Sequence, residues 1–136
     1  MKTTTRIDGW RHGASLALAV ALALGGAGCG IDTQEFGNVI ADCPANGSCS
    51  CGTGNCVMGC PGGGCDLTCT GTSNCNFDCA GGGCTVSCAN TGNCFATCAG
   101  GGCDLVCSGI GNCGITQCAA GCSVACNGTG NCVPFP

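Results

Sequence analysis

The chain has 136 residues, of which 21 are cysteine and 28 are glycine, and its formal net charge is −4. Its basic residues all lie at the N-terminus: Lys2, Arg6, Arg11 and His12. The rest of the chain excludes nucleic acid as a partner, because binding to nucleic acid depends on Lys and Arg side chains that neutralise phosphates. It also argues against an enzyme, since most acid/base and nucleophilic mechanisms need a His or Lys base or a cationic group; we predict no catalytic residues.

The first 28 residues have the composition of a secretory signal peptide. The basic start is followed by an apolar run from Ala14 to Leu24 and then by small residues up to Gly28. An apolar run of this length is too short to span a bilayer comfortably as a mature helix. We therefore predict that residues 1–28 form a signal helix that is cleaved on export.

The segment "GGAGC", which ends at Cys29, resembles the lipobox of bacterial lipoproteins, with Gly26 at the position that usually holds Leu. The resemblance implies that Cys29 receives a diacylglyceryl group and becomes the mature N-terminus, so that lipid holds the protein on a membrane. Ordinary signal-peptidase cleavage, which leaves Cys29 as a thiol, is the alternative. Cysteine parity favours lipidation, because setting Cys29 aside leaves 20 of the 21 cysteines, and these can all pair.

Residues 30–42 lack cysteine and carry three acids, Asp32, Glu35 and Asp42. We predict that residues 29–42 form the lipidated N-terminus and a flexible tether, and that a Cys-rich body follows from residue 43 to residue 136. In the alternative, the segment "FGNVI" within the tether docks on the first coil of the body.

The body contains an internal repeat of 19 residues. Four consecutive units run from Asn55 to Gly130, and less regular segments precede and follow them, as capping coils do in repeat proteins. The units read "NCVMGCPGGGCDLTCTGTS", "NCNFDCAGGGCTVSCANTG", "NCFATCAGGGCDLVCSGIG" and "NCGITQCAAGCSVACNGTG".

Most units contain two segments of the form Cys, any residue, apolar residue, any residue, Cys. Alternate side chains of an extended strand share a face, so both cysteines and the central residue point the same way. The predicted central residues are Met58, Leu67, Phe77, Val86, Ala96, Leu105 and Val124. Two different glycine-rich turns separate the strands. We predict an all-β fold, a short disulfide-stitched β-solenoid with two short strands per 19-residue coil; an antiparallel meander is the alternative.

The same spacing limits how the cysteines can pair. Two cysteines four residues apart in a strand are separated by about 13 Å, whereas a disulfide needs Cα atoms within about 7 Å. Neighbouring cysteines on either side of a turn can meet, and this across-turn scheme uses every cysteine from residue 43 onward. Its pairs are Cys43 with Cys49, Cys51 with Cys56, Cys60 with Cys65, Cys69 with Cys75, Cys79 with Cys84, Cys88 with Cys94, Cys98 with Cys103, Cys107 with Cys113, Cys118 with Cys122, and Cys126 with Cys132.

Other disulfide connectivities remain open at this point. A ladder between equivalent cysteines of successive coils is one of them, although its first column has an odd number of members: Cys56, Cys75, Cys94, Cys113 and Cys132. The asparagine that precedes each of these cysteines also recurs every 19 residues. Stacked at the strand spacing of about 4.8 Å, these asparagines are expected to form an amide ladder.

A metallothionein-like metal cluster is the main alternative for the cysteines. Thiolate clusters favour CxC and CxxC spacings, but the chain has one CxC, at Cys49–Cys51, and no CxxC, which also removes a thioredoxin-like redox motif. Calcium-binding β-roll repeats place an Asp in every repeat, whereas only Asp66 and Asp104 occupy the matching column. We therefore predict no metal site and no cofactor, and export to an oxidising compartment favours disulfides.

A second alternative is an ice-binding solenoid, since disulfide-stitched solenoids of insects include antifreeze proteins. Their outward arrays of Thr have no regular counterpart in this chain. The comparable columns read Thr68, Ser87, Val106 and Ala125, and Gly59, Asp78, Thr97 and Thr116.

The whole chain resembles small bacterial lipoproteins with Cys and Gly repeats, a class that has no common activity. The resemblance covers the signal segment, the lipobox and the body. It implies an exported protein of the bacterial cell envelope, anchored by lipid on the periplasmic side or at the cell surface, with a structural or surface-interaction role.

Overall fold

In the computed structural model, the structure describes residues 34–35 and 38–133; the predicted signal peptide and Cys29 lie outside these residues. Within them the chain forms twelve β-strands and no helix that is long and apolar enough to cross a membrane. The strands are β1 (Gln34–Glu35), β2 (Asn38–Asp42), β3 (Ser48–Cys51), β4 (Asn55–Gly59), β5 (Asp66–Gly71), β6 (Asn74–Asp78), β7 (Thr85–Asn90), β8 (Cys94–Cys98), β9 (Asp104–Cys107), β10 (Cys113–Cys118), β11 (Ser123–Cys126) and β12 (Cys132–Val133).

The strands form two sheets, to which each coil of the chain contributes one strand apiece. The larger sheet has the order β1-β2-β4-β6-β8-β10-β12, and the smaller sheet has the order β11-β9-β7-β5-β3. All pairs between coils are parallel and join residues 19 positions apart, such as Cys56 with Cys75 and Leu67 with Val86. The predicted all-β solenoid with 19-residue coils is therefore confirmed, and a meander, whose strands would pair antiparallel, is excluded for these strands.

The predicted tether is too long at its C-terminal end. Residues 38–42 form β2, which pairs in parallel with β4, while β1 pairs antiparallel with β2. Ala41 is buried and lies in register with Met58, so β2 adds a further layer to the core. The alternation of apolar and polar residues from Asn38 to Asp42 is what permits this pairing, and the body of the protein begins before Cys43.

The core lies between the two sheets and consists of two columns of apolar side chains with cysteines on both sides. The column from the larger sheet and the column from the smaller sheet are fully buried in the central coils, where Phe77 and Val86 are 0% exposed. The buried members of the two columns are Ala41, Met58, Phe77, Ala96 and Ile115, and Leu67, Val86 and Leu105. Because these side chains are few, sulfur fills much of the remaining space.

The fourth unit departs from the others without losing the period. Strand β10 contains a bulge between Ile115 and Gln117, which leaves Thr116 as an additional residue. The corner that follows is shorter, since Cys118 and Cys122 are four residues apart while Cys98 and Cys103 are five apart. The two changes cancel, so the next strand resumes the same register.

Candidate functional site

Ten disulfides join the two sheets at both edges of the solenoid. At one edge they close the corners from the larger sheet to the smaller one: Cys43–Cys49, Cys60–Cys65, Cys79–Cys84, Cys98–Cys103 and Cys118–Cys122. At the other edge they close the return corners: Cys51–Cys56, Cys69–Cys75, Cys88–Cys94, Cys107–Cys113 and Cys126–Cys132. The Cα–Cα separations are 6.0–6.4 Å. These bridges are the ten pairs of the across-turn scheme, and no described cysteine is free.

Burial of the disulfides changes along the solenoid. Cys60 and Cys65 are 0% exposed, and the other bridges of the first four coils are similarly enclosed. In the last coil Cys118 and Cys122 are only partly buried, and Cys126 is exposed. A reductant in solvent therefore reaches the last coil most easily.

Four groups of three sulfur atoms lie close enough together to contact one metal ion. In each group the Sγ atoms are within 4.8 Å of one another, as in Cys51, Cys56 and Cys75. Every member belongs to a disulfide, and metal ions of this class bind thiolates. These sulfur atoms would first have to be reduced, which would open the corners that hold the fold together.

The outer face of the larger sheet carries three columns of side chains, and we call it the amide face. The first column is asparagine in every coil, and the backbone register adds Asn38 to the predicted series Asn55, Asn74, Asn93, Asn112 and Asn131. The second column is mainly apolar: Ile40, Val57, Asn76, Phe95, Gly114 and Val133. The third column carries acids and hydroxyls: Asp42, Gly59, Asp78, Thr97 and Thr116.

The predicted amide ladder forms over most of the asparagine column. The Nδ2 of Asn74 donates to Oδ1 of Asn55 at 2.9 Å, and the Nδ2 of Asn112 donates to Oδ1 of Asn93 at 2.9 Å. The Nδ2 of Asn131 continues the ladder to Oδ1 of Asn112 at 3.1 Å. Between Asn74 and Asn93 the side chains do not bond directly; the backbone N–H of Asn93 donates to Oδ1 of Asn74 at 2.9 Å.

An open groove of about 450 Å³ runs across the amide face. Val57 is 44% exposed, Phe95 is partly exposed, and the hydroxyls of Thr97 and Thr116 lie 3.0 Å apart. The groove is lined by Asn55, Cys56, Val57, Asn74, Cys75, Asn76, Asn93, Phe95, Thr97 and Thr116. It therefore combines amides, hydroxyls, an aliphatic side chain and one aromatic ring.

The outer face of the smaller sheet is different. It carries small polar side chains in a column that runs Ser48, Asp66, Thr85, Asp104 and Ser123. Asp104 accepts a hydrogen bond from the Ser123 hydroxyl at 2.6 Å. Neither outer face has threonine in successive coils over more than the pair Thr97 and Thr116, so the described strands do not form the regular Thr array of an ice-binding surface.

A buried polar group in a return corner was not anticipated from the sequence. Asn90 is 3% exposed, and its Nδ2 donates to the carbonyls of Ser73 at 2.6 Å and Gly92 at 2.8 Å. Ser73 is also buried and donates from Oγ to the carbonyl of Thr70 at 2.6 Å. The sequence offers no signal for this network, because the return corners differ from coil to coil.

No protein-family model matches the chain, and neither does any curated protein or any solved structure. The density of disulfides nevertheless indicates an oxidising, exported environment, since reducing compartments keep cysteines as thiols.

Proposed function

We propose that the protein is an exported lipoprotein whose body is a rigid rod that presents an interaction face at a membrane surface. The observation that carries the proposal is cysteine parity. The 20 cysteines from Cys43 to Cys132 are all consumed by ten disulfides, so that Cys29 is the odd member of the 21. A lipid on Cys29 accounts for the unpaired sulfur.

The proposed anchor lies close to the rod. Strand β2 begins at Asn38, so residues 30–37 are the segment between Cys29 and the first coil. Stable anchoring needs more than one acyl chain, because one chain alone gives only marginal membrane binding. A diacylglyceryl group on Cys29 supplies two chains and holds the N-terminal end of the solenoid near the membrane.

The proposed role is structural or interactive because of what the body offers. Its charged side chains, Asp42, Asp66, Asp78 and Asp104, are exposed and scattered over different strands. The body has no Lys or Arg, which removes trypsin-type cleavage sites, and each coil is closed by two bridges. These features support a durable surface element in the cell envelope.

Metabolic labelling with a lipid precursor tests the proposed anchor. The wild-type chain is expected to carry the label and to fractionate with membranes, and Cys29→Ser is expected to lose both properties. Cys126→Ser is the matched control, since it removes a cysteine of the exposed last bridge and should keep the label. Membrane fractionation of Cys29→Ser at the wild-type level would overturn the proposal.

A further inference from the structure

We propose that the groove on the amide face binds a short segment of a neutral oligosaccharide. The inference deepens the proposed function, on which it rests, by naming the partner class of the interaction face. It begins from the contrast between the two outer faces of the solenoid. The smaller sheet presents small polar side chains, whereas the amide face presents Val57 and Phe95 beside a continuous asparagine column.

Charge selects against acidic partners. Residues 38–133 contain no Lys, Arg or His, and the acids of the amide face, Asp42 and Asp78, lie along one edge of the groove. Nucleic acids, acidic glycans and anionic lipid headgroups would meet negative charge and no cation that could pair with them. The favoured occupant of the groove is therefore uncharged.

The side chains of the groove match the chemistry of a neutral sugar. An asparagine amide presents donors and acceptors side by side, and the ladder uses only part of them, so the rest face solvent. Neighbouring hydroxyls of a pyranose ring can bond to such a donor and acceptor together. The ring of Phe95 offers an apolar surface on which the C–H face of a sugar can stack, with the Thr97 hydroxyl beside it.

The size of the groove suits a short oligosaccharide. Its lining residues come from β4, β6, β8 and β10, which are four adjacent strands of the larger sheet. Three spacings between parallel strands span about 14 Å. A chain of a few sugars laid along the solenoid axis would cross each of these strands and meet a new asparagine at each step.

Titration of the full chain in detergent, followed by NMR, tests the proposal. The probes are the neutral tetrasaccharides cellotetraose and chitotetraose, with an oligogalacturonate of the same length as the anionic comparison. We expect at least one neutral probe to shift the resonances of Asn74, Asn76 and Phe95, and Phe95→Ala to weaken its binding about tenfold. Phe95→Tyr, which keeps the ring, should retain binding, and Val106→Ala on the opposite outer face should leave it unchanged.

Three outcomes would overturn the proposal: no shift on the amide face with either neutral probe at millimolar concentration, stronger binding of the anionic probe, or equal losses in Phe95→Ala and Val106→Ala. Self-association that Phe95→Ala abolishes, measured by sedimentation, would assign the face to a second copy of the chain and would also overturn it. Sugar binding is measured on the purified chain, so loss of the lipid anchor in the labelling experiment would leave this result intact, and the two failures remain distinguishable.

Discussion

Gly82 and Gly101 occupy equivalent corners of successive coils, and a Cβ atom placed on Gly82 would lie 2.6 Å from the carbonyl oxygen of Gly101. The same carbonyl accepts a hydrogen bond from the backbone N–H of Gly83 at 2.8 Å. Gly82 also has a φ of 76°, a conformation that side chains with a Cβ rarely adopt. The corner therefore allows coils to stack at strand spacing only because it has no side chains.

We expect Gly82→Ala to lower the free energy of unfolding by about 2 kcal/mol or more, because it combines left-handed backbone strain with a clash against the next coil. Thermal unfolding followed by circular dichroism measures the effect. Gly52→Ala is the control, since a Cβ there would have Thr70 Oγ1 at 3.8 Å as its nearest neighbour. Equal destabilisation by both variants would contradict this account of the corner.

The disulfide connectivity predicts an intact mass and a peptide map. Ten bridges remove two hydrogens each, so the chain should weigh 20 hydrogens less than its fully reduced form. Non-reducing digestion should yield linked neighbours such as Cys69 with Cys75 and no bridge between equivalent positions such as Cys75 and Cys94. Zinc retained after desalting, together with free thiols in a folded chain, would favour the metal cluster instead.

Reduction is expected to begin in the last coil. Cys118–Cys122 and Cys126–Cys132 have partly or fully exposed sulfur-bearing residues, whereas Cys60–Cys65 is buried. Limited treatment with a phosphine reductant, alkylation and mass mapping give the order in which the bridges open. Opening of the Cys60–Cys65 bridge before the terminal ones would show that burial does not control reduction of this chain.

Complete reduction should abolish the fold, and this is the reason that the order matters. The apolar columns contain few side chains, and each small disulfide loop adds about 2 kcal/mol by restricting the unfolded chain. Loss of the β-sheet signal in circular dichroism is therefore expected once the central bridges open.

The buried amide of Asn90 is expected to stabilise its corner. Asn90→Ala leaves the carbonyls of Ser73 and Gly92 without their donor, which should cost about 1–3 kcal/mol of stability. Asn127→Ala removes an exposed asparagine from a later return corner and should cost much less. Thermal unfolding of the two variants under the same conditions measures the difference, and similar losses would contradict the role assigned to Asn90.

The amide ladder predicts a difference between two chemically identical substitutions. Asn112→Asp removes the donor that bonds to Oδ1 of Asn93 and places a carboxylate oxygen against it. Asn93→Asp keeps both acceptor contacts, to the side chain and the backbone N–H of Asn112. We expect Asn112→Asp to be less stable than Asn93→Asp by about 1 kcal/mol at neutral pH, and the reverse order in denaturant unfolding would refute the direction of the ladder.

The cysteine spacing by itself determined which sulfur atoms can meet. Cys56 and Cys60 lie in one strand and point the same way, and strand rise separates them beyond the reach of a bond, so each must turn to a neighbour across a corner. The 19-residue period likewise determined that Asn55 and Asn74 lie side by side, because equivalent residues of successive coils are neighbours in a parallel stack. These features follow from local geometry and repetition alone.

Only the tertiary structure decided that Asn38–Asp42 belongs to the stack, that Thr116 forms a bulge, and that Asn90 is buried. Each depends on what the adjacent coil presents: β4 offers β2 a free edge, and the return corner of one coil encloses the amide of another. The groove beside Phe95 arises in the same way, from side chains of four strands that are distant in sequence. A repeat makes such neighbours predictable only where its units are identical, and these residues lie where the units differ.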